Sequence, residues 1–398
     1  MARERIGIMG GTFNPIHTGH ITMAKAAMTA AKLDRVLVIP AGVPPHKEGI
    51  APAEDRWRMV CAATAQEPGL EPCRLELDRG GTTYSVDTLQ ALKQQLPKAE
   101  LYFIIGADTL MQLHNWRCFE TVLKLCTFLV CPRTCDATPA EQDAERRRLT
   151  AMGGHFQSVD MEVITVSSTE LRQDLLHGKP TPLLPVPVQE YCCVMGLYGL
   201  PAHIPVAKEW MARLFGDLSY KRFAHTLAVA YMARVLARIH HVDMYHAELA
   251  GMLHDCAKCI PLKEMQRITK ENGLTGDAEI LASGNLLHSI AGAYLARVLY
   301  HVRDEDVLEA IACHTTGRAG MTRLDMVVYL ADKTEPTRES YPTLDKVRML
   351  STLSLEKAMM ASMEGTVNHV QKGDKKVHPQ TMETLAWLKS HGSAKSIS

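Results

Sequence analysis

Residues 6–20, Ile6-Gly7-Ile8-Met9-Gly10-Gly11-Thr12-Phe13-Asn14-Pro15-Ile16-His17-Thr18-Gly19-His20, decide how the first half of the chain is read. A short apolar run ends in two glycines, and a helical pattern follows from Ile21 to Leu33. The stretch is therefore a strand–loop–helix junction. Glycines at such a junction let backbone approach a phosphate. The helix N-terminus adds free N–H groups and the positive end of the dipole. His17 and His20, three residues apart at the mouth of that helix, are donors aimed at the same spot. They could stabilise charge on a phosphate in flight. A glycine turn with two surface histidines is the plainer alternative, and the flanking strand and helix weigh against it.

Working outward, Arg35–Ala41, Leu101–Ala107 and Thr127–Cys131 are further buried-strand candidates separated by helical patterns. That alternation predicts βαβ units and a mostly parallel sheet. Near residue 200 the texture changes. Beyond it Met211–His241, Ala247–Cys259, Leu286–His301, Val307–His314 and Leu355–Val370 read as helices, with almost no strand signal. The expected organisation is an α/β Rossmann-like domain over 1–200, a linker over 201–207 that contains two prolines, an all-α domain over 208–391 and a mobile tail over 392–398.

Composition narrows the function classes. The chain has 398 residues, and 44 Lys+Arg balance 44 Asp+Glu. The two halves are balanced as well, so no electrostatic case exists for nucleic-acid or membrane binding. No run of 18 apolar residues suggests a membrane span, and no apolar h-region opens the chain. Eleven unevenly spaced cysteines read as free thiols of a cytoplasmic protein. Cys131/Cys135 and Cys256/Cys259 lack a second pair at zinc-site spacing.

A second phosphate element lies about 150 residues after the first. In Val166-Ser167-Ser168-Thr169-Glu170-Leu171-Arg172 either serine can cap a helix running to about His177. The helix N–H groups would face a triphosphate, and Arg172 could add a charge-assisted contact. Together the two motifs resemble the nucleotidyltransferase superfamily that carries an H-x-G-H signature. Ile39–Lys47, Thr82–Leu89, Phe103–Leu110 with Trp116, and Val130–Arg133 narrow the resemblance to bacterial nicotinate-mononucleotide adenylyltransferases. The resemblance implies transfer of AMP from ATP, with Mg2+, to nicotinate mononucleotide, giving deamido-NAD and pyrophosphate. By motif, it implies ATP contacts from Gly10, Gly11, Thr12, Phe13, His17, Gly19, His20, Ser167, Ser168, Thr169 and Arg172. His17, His20 and Arg172 would be catalytic. Lys47, Thr83, Tyr84, Asp108, Trp116 and Arg133 would hold the mononucleotide, with Trp116 stacking on its ring. Core packing for Trp116 and a solvated loop for Lys47 are the alternatives.

Twelve of the 18 histidines lie after residue 200. His225, His254-Asp255, His288, His314 and Asp332 each sit in an apolar helical context. A polar group on an apolar helix face is costly unless satisfied. Imidazole and carboxylate together suit divalent iron, manganese or zinc. A carboxylate with ligands on both sides would support two metals, which activate water and clamp phosphate oxygens. Lys258, four residues after His254, would share its helix face and could bind polyphosphate, as could Arg318 beside His314.

This half resembles the HD superfamily of metal-dependent phosphohydrolases, and more closely the bacterial YqeK-type proteins, over about Met211–Leu388. Lys333 and Thr337-Arg338 stand where that family has an aromatic and Asn-Arg. The resemblance implies symmetric hydrolysis of diadenosine tetraphosphate to two ADP at a dinuclear iron site. His225, His254, Asp255 and Asp332 would serve one metal, His288 and His314 the second, and Asp255 would be catalytic. The whole reads as a bifunctional enzyme and leaves a homo-oligomer open. Rival readings make the helical half a nucleotide sensor or a general nucleotide phosphohydrolase, or give the first half a different acceptor.

Overall fold

The computed structural model describes residues 3–43, 49–133, 135–373 and 376–392. The chain divides into two compact units. One is Met1–Gln189 with Leu197–Leu200; the other is Glu190–Gly196 with Pro201–Ser398.

The first unit is built on six strands: β1 (Arg5–Gly11), β2 (Arg35–Pro40), β3 (Leu70–Pro72), β4 (Glu100–Gly106), β5 (Thr127–Cys131) and β6 (His155–Ser158). They lie in the order β3-β2-β1-β4-β5-β6, and every pairing is parallel. The central strands are near-continuous apolar runs because helices cover both faces. Ile6, Ile8, Leu37, Ile39, Phe103, Ile105 and Phe128 form the core beside the sheet. β1 pairs with β2 on one side and β4 on the other. Strand order reverses there, which opens a crevice at the carboxyl ends of β1 and β4. The Gly10-Gly11 loop leaves β1 at that crevice.

β2, β4 and β5 match the expected strands to within a residue. β3 and β6 carry no clear sequence signal. One is three residues long and the other reads His-Phe-Gln-Ser. Both are sheet edges, where a strand needs no apolar run.

The described residues of the second unit are helical apart from turns. The single helix expected over Met211–His241 is two, Ala207–Asp217 and Tyr220–Ile239. Ser219 starts the second by accepting a hydrogen bond from the Arg222 N–H. The helix expected through Cys259 is Met244–Leu253 and ends one residue before His254. Tight turns follow, with the Cys256 and Lys258 N–H groups bonded to carbonyls three residues back. Lys258 therefore does not share a helix face with His254. Gly284–Leu299, Glu305–Cys313, Arg323–Thr334, Pro342–Ser351 and Leu355–Lys372 complete the part that builds the site. Among the described residues no helix is long and apolar enough to cross a membrane. Residues 393–398 of the expected tail lie outside the described residues.

Candidate active sites

In the first unit the two motifs meet. His17 is the N-cap of the Thr18–Ala31 helix, and the His20 ring reaches back so that Nδ1 accepts from the His17 N–H at 3.2 Å. The two rings lie 3.8 Å apart. Ser167 caps the Ser168–Leu176 helix, accepting from the Glu170 N–H. Ser168 donates to the Pro15 carbonyl at 3.0 Å, and Arg172 to the Asn14 carbonyl at 2.8 Å. The second motif thus clamps the loop of the first. Gly19 permits this closeness: a Cβ there would stand 2.8 Å from Val166 Cγ1. Arg56, buried beneath the loop, donates to the carbonyls of Ala51, Thr12 and Gly42.

His17 is 3% exposed, yet neither ring nitrogen has a partner. Burial, with the Arg133 charge adding, lowers its pKa to about 4, so it is neutral at pH 7. A neutral imidazole keeps one N–H to donate. His17, Gly19, His20, Arg133 and Val166 line one cavity. Arg133 lies 3.5 Å from Asp108, whose buried Oδ1 is also unpartnered. Asp108 opens the Ala107–Gln112 helix just past β4, on the far side of the crevice from Gly10, Gly11, Thr12 and Phe13. Buried groups without partners are costly in a finished structure. Here they mark a place made for a polar ligand.

The expected mononucleotide residues are placed less uniformly. Thr83 is buried with an unpartnered hydroxyl. Tyr84 lies under the Arg117 guanidinium at 4.6 Å. Trp116 packs edge-on to Phe103, 5.5 Å between centroids, against the core. Lys47 lies outside the described residues.

In the second unit five segments deliver His225, His254-Asp255, His288, His314 and Asp332 to one buried point. His254 and His314 stand at the carboxyl ends of their helices, where the negative dipole end favours a cation. Gly251 lets two of the helices touch: a Cβ on it would meet the Ala230 Cα at 3.0 Å. Asp255 is the hub. Its Oδ2 lies 3.3 Å from His254 Nε2 and 3.8 Å from His225 Nε2. Its Oδ1 lies 2.9 Å from His288 Nε2 and 3.8 Å from His314 Nε2. Asp332 Oδ1 is 3.2 Å from His225 Nε2. One carboxylate therefore faces a histidine pair on each side.

The other nitrogens of these rings are tied down. His254 Nδ1 meets the Gly251 carbonyl, His314 Nδ1 that of Ile311, and His288 Nδ1 that of Gly284. His225 Nδ1 meets Glu335 Oε1 at 3.1 Å. Such bonds leave Nε2 with a lone pair toward the centre. The buried Nε2 atoms of His225 and His254 have no hydrogen-bond partner. His225, His254 and Asp332, and His254, Asp255 and His314, each form a group able to hold a metal ion. Burial pushes the Asp255 and Asp332 carboxyls up, but neighbouring cationic groups and imidazoles hold both well below the usual range. Burial, with His254 and His288 adding, holds His314 neutral. Ionised carboxylate and neutral imidazole are the forms that bind metal.

Among the described residues four cations ring the cluster. Arg222 donates to Asp255 at 2.6 Å, Lys333 and Arg338 each to Asp332 at 2.9 Å, and Lys258 lies 3.4 Å from His288. Of the two expected polyphosphate residues, Lys258 thus reaches the cluster. Arg318 does not: Asp325, 2.7 Å away, takes its guanidinium. Arg222, Glu335 and Arg56 escaped the sequence reading, and Arg338 was noted there only in comparing the chain with the family pattern. Glu335 and Arg338 had a local signal, in the Glu-Pro-Thr-Arg run after Asp332.

The cytidylyltransferase-like family matches residues 8–174, and the HD domain family residues 222–337. A Mycoplasma pneumoniae protein named "Probable nicotinate-nucleotide adenylyltransferase/Ap4A hydrolase" is 31% identical over 335 residues, which span 83% of this chain and 88% of that protein. A Moorella thermoacetica protein named "Probable nicotinate-nucleotide adenylyltransferase" is 38% identical over 203 residues, 49% of this chain and 91% of that protein. A Clostridium acetobutylicum crystal structure, described as a "predicted HD superfamily hydrolase involved in NAD metabolism", is 36% identical over 46% of this chain and 96% of its own, with a TM-score of 0.45.

Proposed function

This chain belongs to the family of fused nicotinate-nucleotide adenylyltransferase/Ap4A hydrolases, and from that premise we propose that it is a cytoplasmic enzyme with two activities. The first unit transfers AMP from ATP to nicotinate mononucleotide. The second hydrolyses diadenosine tetraphosphate to two ADP.

One observation supports each half. For transfer it is His17, buried and unpartnered at the reversal point of the sheet, beneath a loop held by Arg172 and Ser168. The mononucleotide phosphate attacks the α-phosphorus of ATP, and pyrophosphate leaves with its electron pair. No group on the protein need become covalently attached. The protein aligns the phosphates and meets their charge. His17, His20 and Arg172 face ATP with its Mg2+, and Arg133 with Lys47 holds the mononucleotide phosphate. Thr83, Tyr84, Asp108 and Trp116 orient the pyridine nucleotide.

For hydrolysis the supporting observation is Asp255, with a histidine pair on each oxygen. The donor set fits two divalent cations, iron or manganese. His225, His254 and Asp332 would hold one, His288 and His314 the other, and Asp255 both. Such a pair supplies Lewis acidity toward phosphate and water activated near neutral pH. Arg222, Lys258, Lys333 and Arg338 meet the negative charge of the polyphosphate.

Two variants separate the halves. Pyrophosphate release and ADP release are measured on the same preparations. His20→Ala should slow transfer by about 100- to 1,000-fold and leave hydrolysis intact. Asp255→Ala should lose metal and hydrolysis together and keep transfer. Full metal content in Asp255→Ala, or near-normal transfer in His20→Ala, contradicts the assignment.

A further inference from the structure

A cavity of about 690 Å3 opens between the Pro342–Ser351 and Leu355–Lys372 helices, and Lys333 stands at its edge. Lys333 Nζ is also 2.9 Å from Asp332 Oδ2. The cleft therefore begins one side chain away from the His–Asp cluster. Among the described residues its lining includes Lys333, His369 and Lys372 and no acidic residue. A cavity so lined favours an anion. Asp332 has a second cation, Arg338, on its other oxygen, so Lys333 can turn to phosphate without leaving that carboxylate unpaired.

The rest of the lining suits a nucleoside. Tyr341 is 58% exposed and presents a flat apolar face that the core does not use. Asn368 offers an amide with both donors and acceptor. Ribose and a base need just these: an aromatic platform and a few polar partners, in a space of roughly 300–1,000 Å3.

We propose that this cleft is the subsite for one nucleoside of the dinucleoside polyphosphate. Lys333 takes up polyphosphate charge as the chain leaves the cluster, Tyr341 covers the base and Asn368 meets its edge. The proposal rests on the hydrolase reading and adds where the substrate's nucleoside goes.

The test is photolabelling of the full-length, manganese-loaded protein with 8-azido-ADP, followed by peptide mapping of the helical unit. Label is expected within residues 341–347 or 362–372, displaced by diadenosine tetraphosphate and reduced at least about fivefold in Tyr341→Ala. Label elsewhere in the helical unit, none there at all, or an undiminished signal in Tyr341→Ala overturns the subsite. Steady-state rates give a second readout: Tyr341→Ala should raise KM for diadenosine tetraphosphate about tenfold, with a smaller change in kcat. An unchanged KM overturns the proposal too. Turnover of diadenosine tetraphosphate without cleft label removes the subsite alone. Cleft label without turnover keeps the subsite and removes the hydrolase reading.

Discussion

His17 shows how much one side chain can report. Its pKa falls from an ordinary 6.5 to about 4, first through burial and then through Arg133. Above pH 6.5 the folded and unfolded states both hold it neutral, and its contribution to stability is complete. As pH falls from 6.5 toward 4, the unfolded chain takes up a proton that the folded chain refuses. Stability then drops by up to about 3 kcal/mol, with no further loss below 4. His17→Asn removes this dependence. Thermal midpoints followed from pH 7.5 to 4.5 should show the variant losing less stability than the parent. Parallel curves would contradict the buried neutral ring. Glu335 acts through another residue: it fixes the His225 ring by accepting at Nδ1. Glu335→Gln should weaken metal binding about 10- to 100-fold, measured by competition with a chelator, and equal affinity would show that the ring is fixed otherwise. The histidines and aspartates were legible in the sequence because each interrupts an apolar pattern. Arg222 and Arg56 were not. Arginine is common on any surface helix, and nothing local says that one is folded inward.

Helices and strands were legible where their pattern is continuous. β2, β4 and β5 are buried runs, and their burial is what makes the pattern. The break at Leu218-Ser219 was missed because apolar residues continue on both sides of it, while the Ser219 cap turns the chain. That turn starts the helix carrying both Arg222 and His225. The meeting of Ser168–Leu176 with the Gly10–His17 loop followed from motif content, but the bonds that join them did not. At this scale Gly251 is the sharpest probe. Its missing Cβ lets the Met244–Leu253 helix lie against the backbone of Ala230. Gly251→Ala gains helix propensity yet forces the two helices apart. Overpacking of this kind costs about 1–3 kcal/mol, and it should lower the thermal midpoint of the metal-free protein. A raised midpoint would mean that the helices yield without cost.

Over the whole molecule, balanced charge and two separate cores fit a chain that recognises small phosphorylated ligands at built sites rather than a long polyanion along its surface. The α/β and all-helical halves were readable from texture alone, because strand-rich and helix-rich patterns do not mix on either side of residue 200. Glu190–Gly196 belongs to the second unit although it precedes Leu197–Leu200 of the first. Segment packing decides that, and sequence pattern does not report it. Both proposed reactions handle two nucleosides joined through phosphates, one making such a molecule and the other cutting one.

The most direct measurement follows the fate of diadenosine tetraphosphate. Full-length protein loaded with iron or manganese is incubated with it, and the products are separated by anion exchange. The symmetric-hydrolase reading predicts ADP as the sole product, lost in Asp255→Ala. ATP plus AMP, or no turnover by metal-loaded protein, would contradict the account.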